Sequence, residues 1–131
     1  MATRFATFLM FEGSAEEAIN LYTSVFRDAE LKLLDRFGPE GPGREGTVFG
    51  AELLLGDHRI MFFDSPQPHP FTFTPSISFF VDCASEDELE DAYAQLSAGG
   101  EVMMPLDSYG FSTRFGWVSD RFGVSWQLNL P

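Results

Sequence analysis

The chain has 131 residues, a hydrophobic content of 44% and a formal net charge of −12, from 8 basic and 20 acidic residues. This length fits one domain with its own core. The acidic balance repels phosphate backbones and anionic lipid surfaces, so we expect neither a nucleic-acid partner nor a membrane partner. The single cysteine, Cys83, excludes an internal disulfide and fits a reducing cytoplasm, where we expect it to be a small buried or half-buried thiol rather than a nucleophile.

The first predicted elements are a strand and a helix. The N-terminal sequence MATRFATFLMFEGS has one arginine and a short apolar run without a cleavage-like end, so it predicts a strand rather than a signal peptide. Ser14 and Glu17 match the capping box that satisfies free N–H groups at a helix start. The stripe expected to pack on a sheet is Ala18, Leu21, Tyr22 and Val25.

Three further strands are predicted before the middle of the chain, at 30–37, 47–55 and 58–64. A glycine- and proline-rich loop at 38–46 separates the first two, and the turn Gly56-Asp57 separates the last two. Residues 65–75 contain four prolines, which disfavour both a helix and a central strand. We therefore expect an extended connector there.

The second half of the chain repeats the same order of elements. Ser85 and Glu88 form a second capping-box pair, and Gly99-Gly100 gives the expected helix stop. The second helical stripe, which lies 71 residues after the first, is Leu89, Ala92, Tyr93 and Leu96. Strands are predicted at 101–106, near 115–119 and at 124–130, the last two joined by a turn at 120–123.

Each half is thus a βαβββ module, so the fold class predicted is α+β. We predict a single domain over 1–131, with module one at about 4–64 and module two at about 76–131, joined by the connector 65–75. A module of about 60 residues has a marginal core and leaves edge strands unpaired, so packing between modules is expected, within one chain or in a homodimer.

Two tandem βαβββ modules resemble the vicinal-oxygen-chelate superfamily of glyoxalase I, bleomycin-resistance proteins and extradiol dioxygenases. The segments FLMFEGSAEEAINLYTSVF and GWVSDRFGVSWQL are similar to the PhnB-like branch, often labelled 3-demethylubiquinone-9 3-methyltransferase, as is 77–101. The resemblance implies mixed sheets that curl around a cavity for a small-molecule ligand. It also implies a homodimer, in some members with modules exchanged between chains.

The resemblance further implies where a metal would be held. Metal enzymes of the superfamily place His, Gln or Glu on the first and last strands of each module, and a catalytic divalent metal needs about three such ligands. With a register uncertain by about one residue, these positions fall near Thr7 and Ser76 on the first strands and at Met61 and Gln127 on the last. Only Gln127 is a ligand type, so we predict no cofactor, although a divalent metal stays possible.

Both tryptophans lie in the last predicted hairpin. Strand alternation places Trp126 on the opposite face from Gln127, under a helix or against a partner chain if Gln127 faces the cavity. Trp117 could face either way, and packing is favoured over ligand stacking for both rings. The predicted cavity lining is therefore Thr7, Met61, Ser76, Trp117 and Gln127, and no residue is assigned to catalysis.

Three kinds of function remain open, and whether the chain is an enzyme is one of the open points. The favoured one is a protein that binds a small organic ligand in an aromatic cavity without a catalytic metal. The alternatives are a metal-dependent lyase, isomerase or dioxygenase, and a module that acts through protein contacts. Methyltransferase activity is disfavoured, because no glycine-rich turn follows a strand and opens a helix as a Rossmann-like methyl-donor site requires.

Overall fold

The computed structural model describes residues 1–131 and divides them into two compact units, 1–69 and 70–131. The first unit is a four-stranded mixed sheet with one helix. Its elements are β1 (Thr7–Phe11), α1 (Ala15–Val25), β2 (Glu30–Arg36), β3 (Val48–Leu55) and β4 (His58–Asp64). The sheet order is β1-β4-β3-β2, in which only β1 and β4 run parallel.

The second unit repeats this architecture. Its elements are β5 (Ser78–Asp82), α2 (Glu86–Ser97), β6 (Glu101–Asp107), β7 (Arg114–Ser119) and β8 (Ser125–Leu130). The sheet order β5-β8-β7-β6 again contains one parallel pair, β5 with β8. The predicted α+β fold with two βαβββ modules is confirmed. The connector 65–75 contains neither helix nor strand, as predicted.

The two helices begin in different ways. At α2 the predicted cap is present: the Ser85 hydroxyl accepts a hydrogen bond from the Glu88 N–H at 3.2 Å, and the Glu88 carboxylate accepts one from the Ala84 N–H at 3.0 Å. The prediction was wrong at α1, where Ser14 makes no side-chain cap. The distant Asp64 serves instead, because its carboxylate accepts the Ala15 N–H.

The core of each unit lies between its helix and one face of its sheet. The buried residues of α1 include Ala18, Tyr22 and Val25 as predicted, together with Ile19, whereas Leu21 is only half-buried. In α2 the buried residues are Leu89, Ala92 and Leu96. The α2 stripe packs closely enough that a Cβ at Gly116 would lie 2.9 Å from the Tyr93 ring.

The lengths and hydropathy of the two helices bear on whether either could span a membrane. Neither α1 nor α2 is long and apolar enough to cross a membrane.

Candidate functional site

The second sheet has one face covered by α2 and one that α2 does not cover. Residues directly opposite each other on paired strands point to the same face, so the partners Trp117 and Gln127 share a face, as do Phe80 and Gln127. We call this the open face of the second sheet. Its side chains include Phe80, Asp82, Phe115, Trp117, Gln127 and Asn129.

Gln127 lies on the central strand β8, with Trp117 on one side and Phe80 on the other. The residue is half-buried, and its side-chain amide makes no hydrogen bond within the chain. An amide that is partly removed from water and unpaired is a strong hydrogen-bonding group available to a ligand. The structure thus brings together two of the five predicted site residues, Trp117 and Gln127.

The Trp117 ring is held in place by a buried serine. Its indole N–H donates to the Ser125 hydroxyl at 2.8 Å, and Ser125 is only 2% exposed. The Ser78 hydroxyl lies 2.6 Å from that of Ser125, and the Pro75 carbonyl accepts from Ser125 at 3.4 Å. These contacts fix the edge of the indole and leave its apolar surface beside Gln127.

Trp126 lies on the opposite face of β8, as strand alternation predicts. It is fully buried, and its indole N–H donates to the Asp120 carboxylate at 3.0 Å. Its ring centroid lies 4.8 Å from that of Phe79. Core packing is therefore confirmed for Trp126.

Four aromatic rings form a cluster on the open face of the second sheet, at the end where β7 begins: Phe80, Tyr109, Phe111 and Phe115. Phe115 is 3% exposed, and its ring lies 5.0 Å from Phe111, 6.1 Å from Tyr109 and 6.3 Å from Phe80. Phe111 and Phe80 are 63% and 58% exposed. Such a cluster offers both edges and faces of rings to an apolar ligand.

Asn129 lies at the same end of this face, opposite Phe115. Its Nδ2 donates to the Asp82 carboxylate at 2.8 Å. Its Oδ1 is buried and accepts no hydrogen bond within the chain. The face therefore carries acceptor atoms as well as rings.

The first sheet has an equivalent uncovered face with different chemistry. Met61 lies on it opposite Phe8 and Glu52, while Phe8 and Phe63 pack with ring centroids 6.1 Å apart. Arg59 and Glu52 form an ion pair with side chains that are 21% and 17% exposed. This face thus has aromatic rings and an internally balanced pair of charges.

Two predicted site residues lie away from both uncovered faces. Thr7 pairs with Ile60 on the helix-covered face of the first sheet, opposite in direction to Met61, and its hydroxyl lies 3.0 Å from the His58 Nε2. Ser76 is exposed and precedes β5, with its hydroxyl 3.1 Å from that of Thr74. Ser78, which opens β5, lies 71 positions after Thr7 but pairs with Ser125 on the open face of the second sheet, so the offset between the helices does not predict the direction of these strand side chains.

The donor residues do not fit a metal centre. No group of three or more His, Cys, Asp or Glu side chains is arranged to hold a metal ion. The two histidines contact hydroxyls: His58 lies beside Thr7, and the His69 Nε2 is 2.9 Å from the Ser65 Oγ. Gln127 alone cannot supply the roughly three protein ligands that a catalytic metal requires.

A separate depression of about 410 Å³ lies at the N-terminus of α1 and contains none of the five predicted residues. Its lining includes Glu16, Glu17, Arg44, Glu45 and Asp64. Four carboxylates against one guanidinium disfavour an anion, although a helix N-terminus would otherwise attract one.

Cys83 has the properties of a structural thiol. It is 4% exposed, and burial, followed by the charges of Glu88 and Asp82, raises the pKa of its thiol to about 11. Because the thiolate is the nucleophile, a thiol with this pKa is nearly inert at neutral pH. The expectation of a small buried thiol is confirmed.

Comparison with solved structures identifies the class of the fold. A glyoxylase/bleomycin resistance protein/dioxygenase domain from Frankia sp. EAN1pec is 16% identical, with a TM-score of 0.64 over 99% of this chain and 98% of its own. The fosfomycin resistance protein FosX from Mesorhizobium loti is 14% identical, with a TM-score of 0.61 over 100% and 94%. The fold is that of the glyoxalase/bleomycin-resistance domains.

The family follows from closer matches. The sequence profile of the 3-demethylubiquinone-9 3-methyltransferase family matches residues 3–129. A PhnB protein from Bacillus cereus is 47% identical, with a TM-score of 0.94 over 98% of this chain and 100% of its own. The chain belongs to this PhnB-like family. A search of curated proteins found no match.

Proposed function

We propose that the chain binds a small organic ligand on the open face of the second sheet, without a catalytic metal. The observation that carries this proposal is the unpaired, half-buried amide of Gln127 between the aromatic residues Trp117 and Phe80. Binding sites for small molecules are mostly apolar and contain a few well-placed polar groups that fix the orientation of the ligand. This face has that composition.

The energetic roles of the groups follow from their chemistry. Ring contacts with Trp117 and Phe80 provide apolar burial and stacking, worth about 0.5–1.5 kcal/mol per aromatic pair beyond area burial. The Gln127 amide both donates and accepts, and one satisfied hydrogen bond contributes about 1 kcal/mol. These terms favour a planar, largely apolar ligand with a polar group placed to reach Gln127. Met61 remains a predicted lining residue on the uncovered face of the first sheet, whereas Thr7 and Ser76 lie away from both uncovered faces and form no part of this proposal.

Ligand binding is tested by a pair of variants with one readout. We expect a ligand to change Trp117 fluorescence. Gln127→Leu should weaken its binding by about tenfold, because it leaves the polar group of the ligand without a partner, which costs about 1–3 kcal/mol, and about 1.4 kcal/mol corresponds to a factor of ten in affinity. Gln67→Leu makes the same chemical change at an exposed connector site and serves as the matched control. Equal affinities for the two variants would reject Gln127 as the recognition residue.

The alternative function is a metal-dependent lyase, isomerase or dioxygenase. The donor side chains of one chain do not fit such a centre, so we propose no reaction step through a metal. The test is metal analysis by plasma mass spectrometry on untagged protein, purified without chelator and measured before and after addition of zinc, nickel, iron and manganese. We expect trace amounts only. A stoichiometry near one per chain would favour the enzyme and direct attention to ligands from a second chain.

We also propose that the chain does not carry the methyltransferase activity in the family's name. Both strand–helix turns are short, Glu12–Ser14 and Cys83–Ser85, and neither is the glycine-rich turn of a Rossmann-like site. Each sheet contains a single parallel pair, whereas that fold has a mostly parallel sheet. Titration calorimetry with S-adenosylmethionine should show no binding, and saturable binding would contradict this proposal.

We propose that the intact protein is a cytoplasmic homodimer of single-domain chains, whose modules pair either within one chain or by exchange between the two chains. Large apolar side chains are exposed just before the edge strands β1 and β5: Phe5 is 87% and Ile77 75% exposed. Burying such groups stabilises an association. Light scattering at micromolar concentration should give twice the chain mass of 14.7 kDa, and the monomer mass would reject the dimer.

A further inference from the structure

We propose that the open face of the second sheet selects ligands that donate a hydrogen bond, a protonated amine above all, and that Asn129 and Asp82 set this preference. This inference rests on the proposed ligand-binding function of the same face. It starts from the buried Asn129 Oδ1, which accepts no hydrogen bond within the chain although Asn129 is only 9% exposed. Buried polar atoms are nearly always paired, so an unpaired acceptor at a candidate site indicates a donor that comes from outside.

The orientation of the Asn129 amide is fixed by its neighbour. Nδ2 donates to the Asp82 carboxylate at 2.8 Å. Turning the amide over would place Oδ1 against that carboxylate, where two acceptors repel each other. Oδ1 is therefore the atom left for a ligand, and the ligand must supply the hydrogen.

The charges of the unit point to the same kind of ligand. Residues 70–131 contain nine acidic residues and two arginines. Neither arginine serves the open face: Arg114 donates to Glu86 and Glu90 of α2, and Arg121 lies over the Phe122 ring in the β7–β8 turn. A cation is attracted to such a surface and an anion is repelled.

Aromatic rings adjoin the acceptors. Phe115, the cross-strand partner of Asn129, is covered by Tyr109 and by Phe111, whose side chain is 63% exposed. A ligand that donated to Oδ1 would lie beside Phe115, which the strand register places directly opposite Asn129. Ring faces also attract cations directly. The ligand class is thus an aromatic compound with an ammonium or amide N–H.

Three probes with one phenyl ring separate the possibilities: 2-phenylethylamine donates and is cationic, phenylacetamide donates and is neutral, and 3-phenylpropionate is an anionic acceptor. Binding to the intact protein is followed by Trp117 fluorescence, excited where the probes do not absorb. We expect the amine to bind more tightly than the propionate by at least about tenfold, with phenylacetamide between them.

Two variants test the assigned residues. Asp82→Asn keeps an acceptor for Asn129 but removes the charge, so the amine should lose most of its advantage over phenylacetamide. Asp87→Asn makes the same change on the exposed side of α2 and should leave the ratio unaltered. Asn129→Leu should weaken both donor probes relative to the propionate, with circular dichroism confirming that the variant is folded.

The outcomes are distinguishable from failure of the proposed function. If the propionate binds as tightly as the amine, or if Asp82→Asn leaves the ratio of amine to amide affinities unchanged, the selectivity is wrong while ligand binding on this face stands. If Asn129→Leu is folded and binds all probes normally, Oδ1 is satisfied in another way and its assignment fails. If no probe changes Trp117 fluorescence at millimolar concentration, both the binding face and its selectivity are rejected.

Discussion

Replacing Asp64 with alanine should destabilise the first unit more than most single substitutions. Asp64 ends β4 and is 2% exposed. Its Oδ1 accepts the N–H of Gly13 at 2.8 Å and of Ala15 at 3.1 Å, while Oδ2 accepts the N–H of Val48 at 2.8 Å. One carboxylate therefore joins the turn after β1, the start of α1 and the start of β3.

The magnitude follows from the three donors that would be left without a partner. Two of these N–H groups are buried and one is part-buried. An unsatisfied buried donor costs about 1–3 kcal/mol, so Asp64→Ala should lower the free energy of unfolding by about 3–5 kcal/mol. Asp64→Asn should cost about 2 kcal/mol, because an amide keeps one acceptor but turns a donor toward the Val48 N–H. The whole free energy of unfolding of a native domain is only about 5–15 kcal/mol, so either loss would be large.

The assay is urea unfolding followed by far-ultraviolet circular dichroism, because both tryptophans lie in the second unit and fluorescence would miss the first. An unchanged denaturant slope would validate comparison of the midpoints. Asp57→Ala, in the exposed turn before β4, is the matched control and should change stability by less than about 0.5 kcal/mol. A loss below about 1 kcal/mol for Asp64→Ala would refute the reasoning that these three bonds hold the unit together.

Three other substitutions or reactions test separate parts of the fold. Asp120→Ala should cost about 3 kcal/mol and alter the emission of Trp126, because the Asp120 carboxylate accepts the N–H groups of Phe122 and Val124 and the Trp126 indole N–H; an unaltered emission spectrum would contradict this. Gly100→Ala should lower the free energy of unfolding in urea by more than about 2 kcal/mol, because the new Cβ would lie 2.1 Å from the Ser119 carbonyl oxygen. The control Gly50→Ala, which has open space around the Cβ, should leave the free energy of unfolding nearly unchanged. Cys83, with a thiol pKa of about 11, should react with iodoacetamide about 100-fold more slowly at pH 8 than an ordinary cysteine, and its rate should rise with pH toward that pKa; rapid labelling of the folded protein at pH 7, seen by mass spectrometry, would be inconsistent with it.

The secondary structure was predictable because its signals are local. Apolar runs, the Gly56-Asp57 turn and the prolines of the connector mark the elements without reference to distant residues. The exception is the start of α1. Ser14 and Glu17 match a capping box, yet the acceptor for the Ala15 N–H comes from Asp64, which is 49 residues away. A sequence motif cannot show that a buried carboxylate on another strand already occupies the cap.

The candidate site was only partly predictable because it depends on strand register. Alternation along one strand correctly separated Trp126 from Gln127. The face of Trp117 needed the pairing between β7 and β8, which no local pattern supplies. Asn129 was missed for a related reason. Its Nδ2 donates to the Asp82 carboxylate, and its Oδ1 is left without a partner. Both facts depend on how the strands pair and cannot be read from the sequence around Asn129.

The contrast between the two units explains why recognition is assigned to the second. Both carry aromatic rings on the uncovered face of a four-stranded sheet, so apolar contact alone does not distinguish them. On the first sheet Arg59 and Glu52 form a partly buried ion pair, with which a ligand would have to compete, although the Arg59 Nε has no hydrogen-bond partner within the chain. On the second sheet the central polar groups are the amide of Gln127 and the Oδ1 of Asn129, and neither is paired within the chain. We therefore propose the second sheet as the binding site, because a ligand there would gain hydrogen bonds without competing with an ion pair.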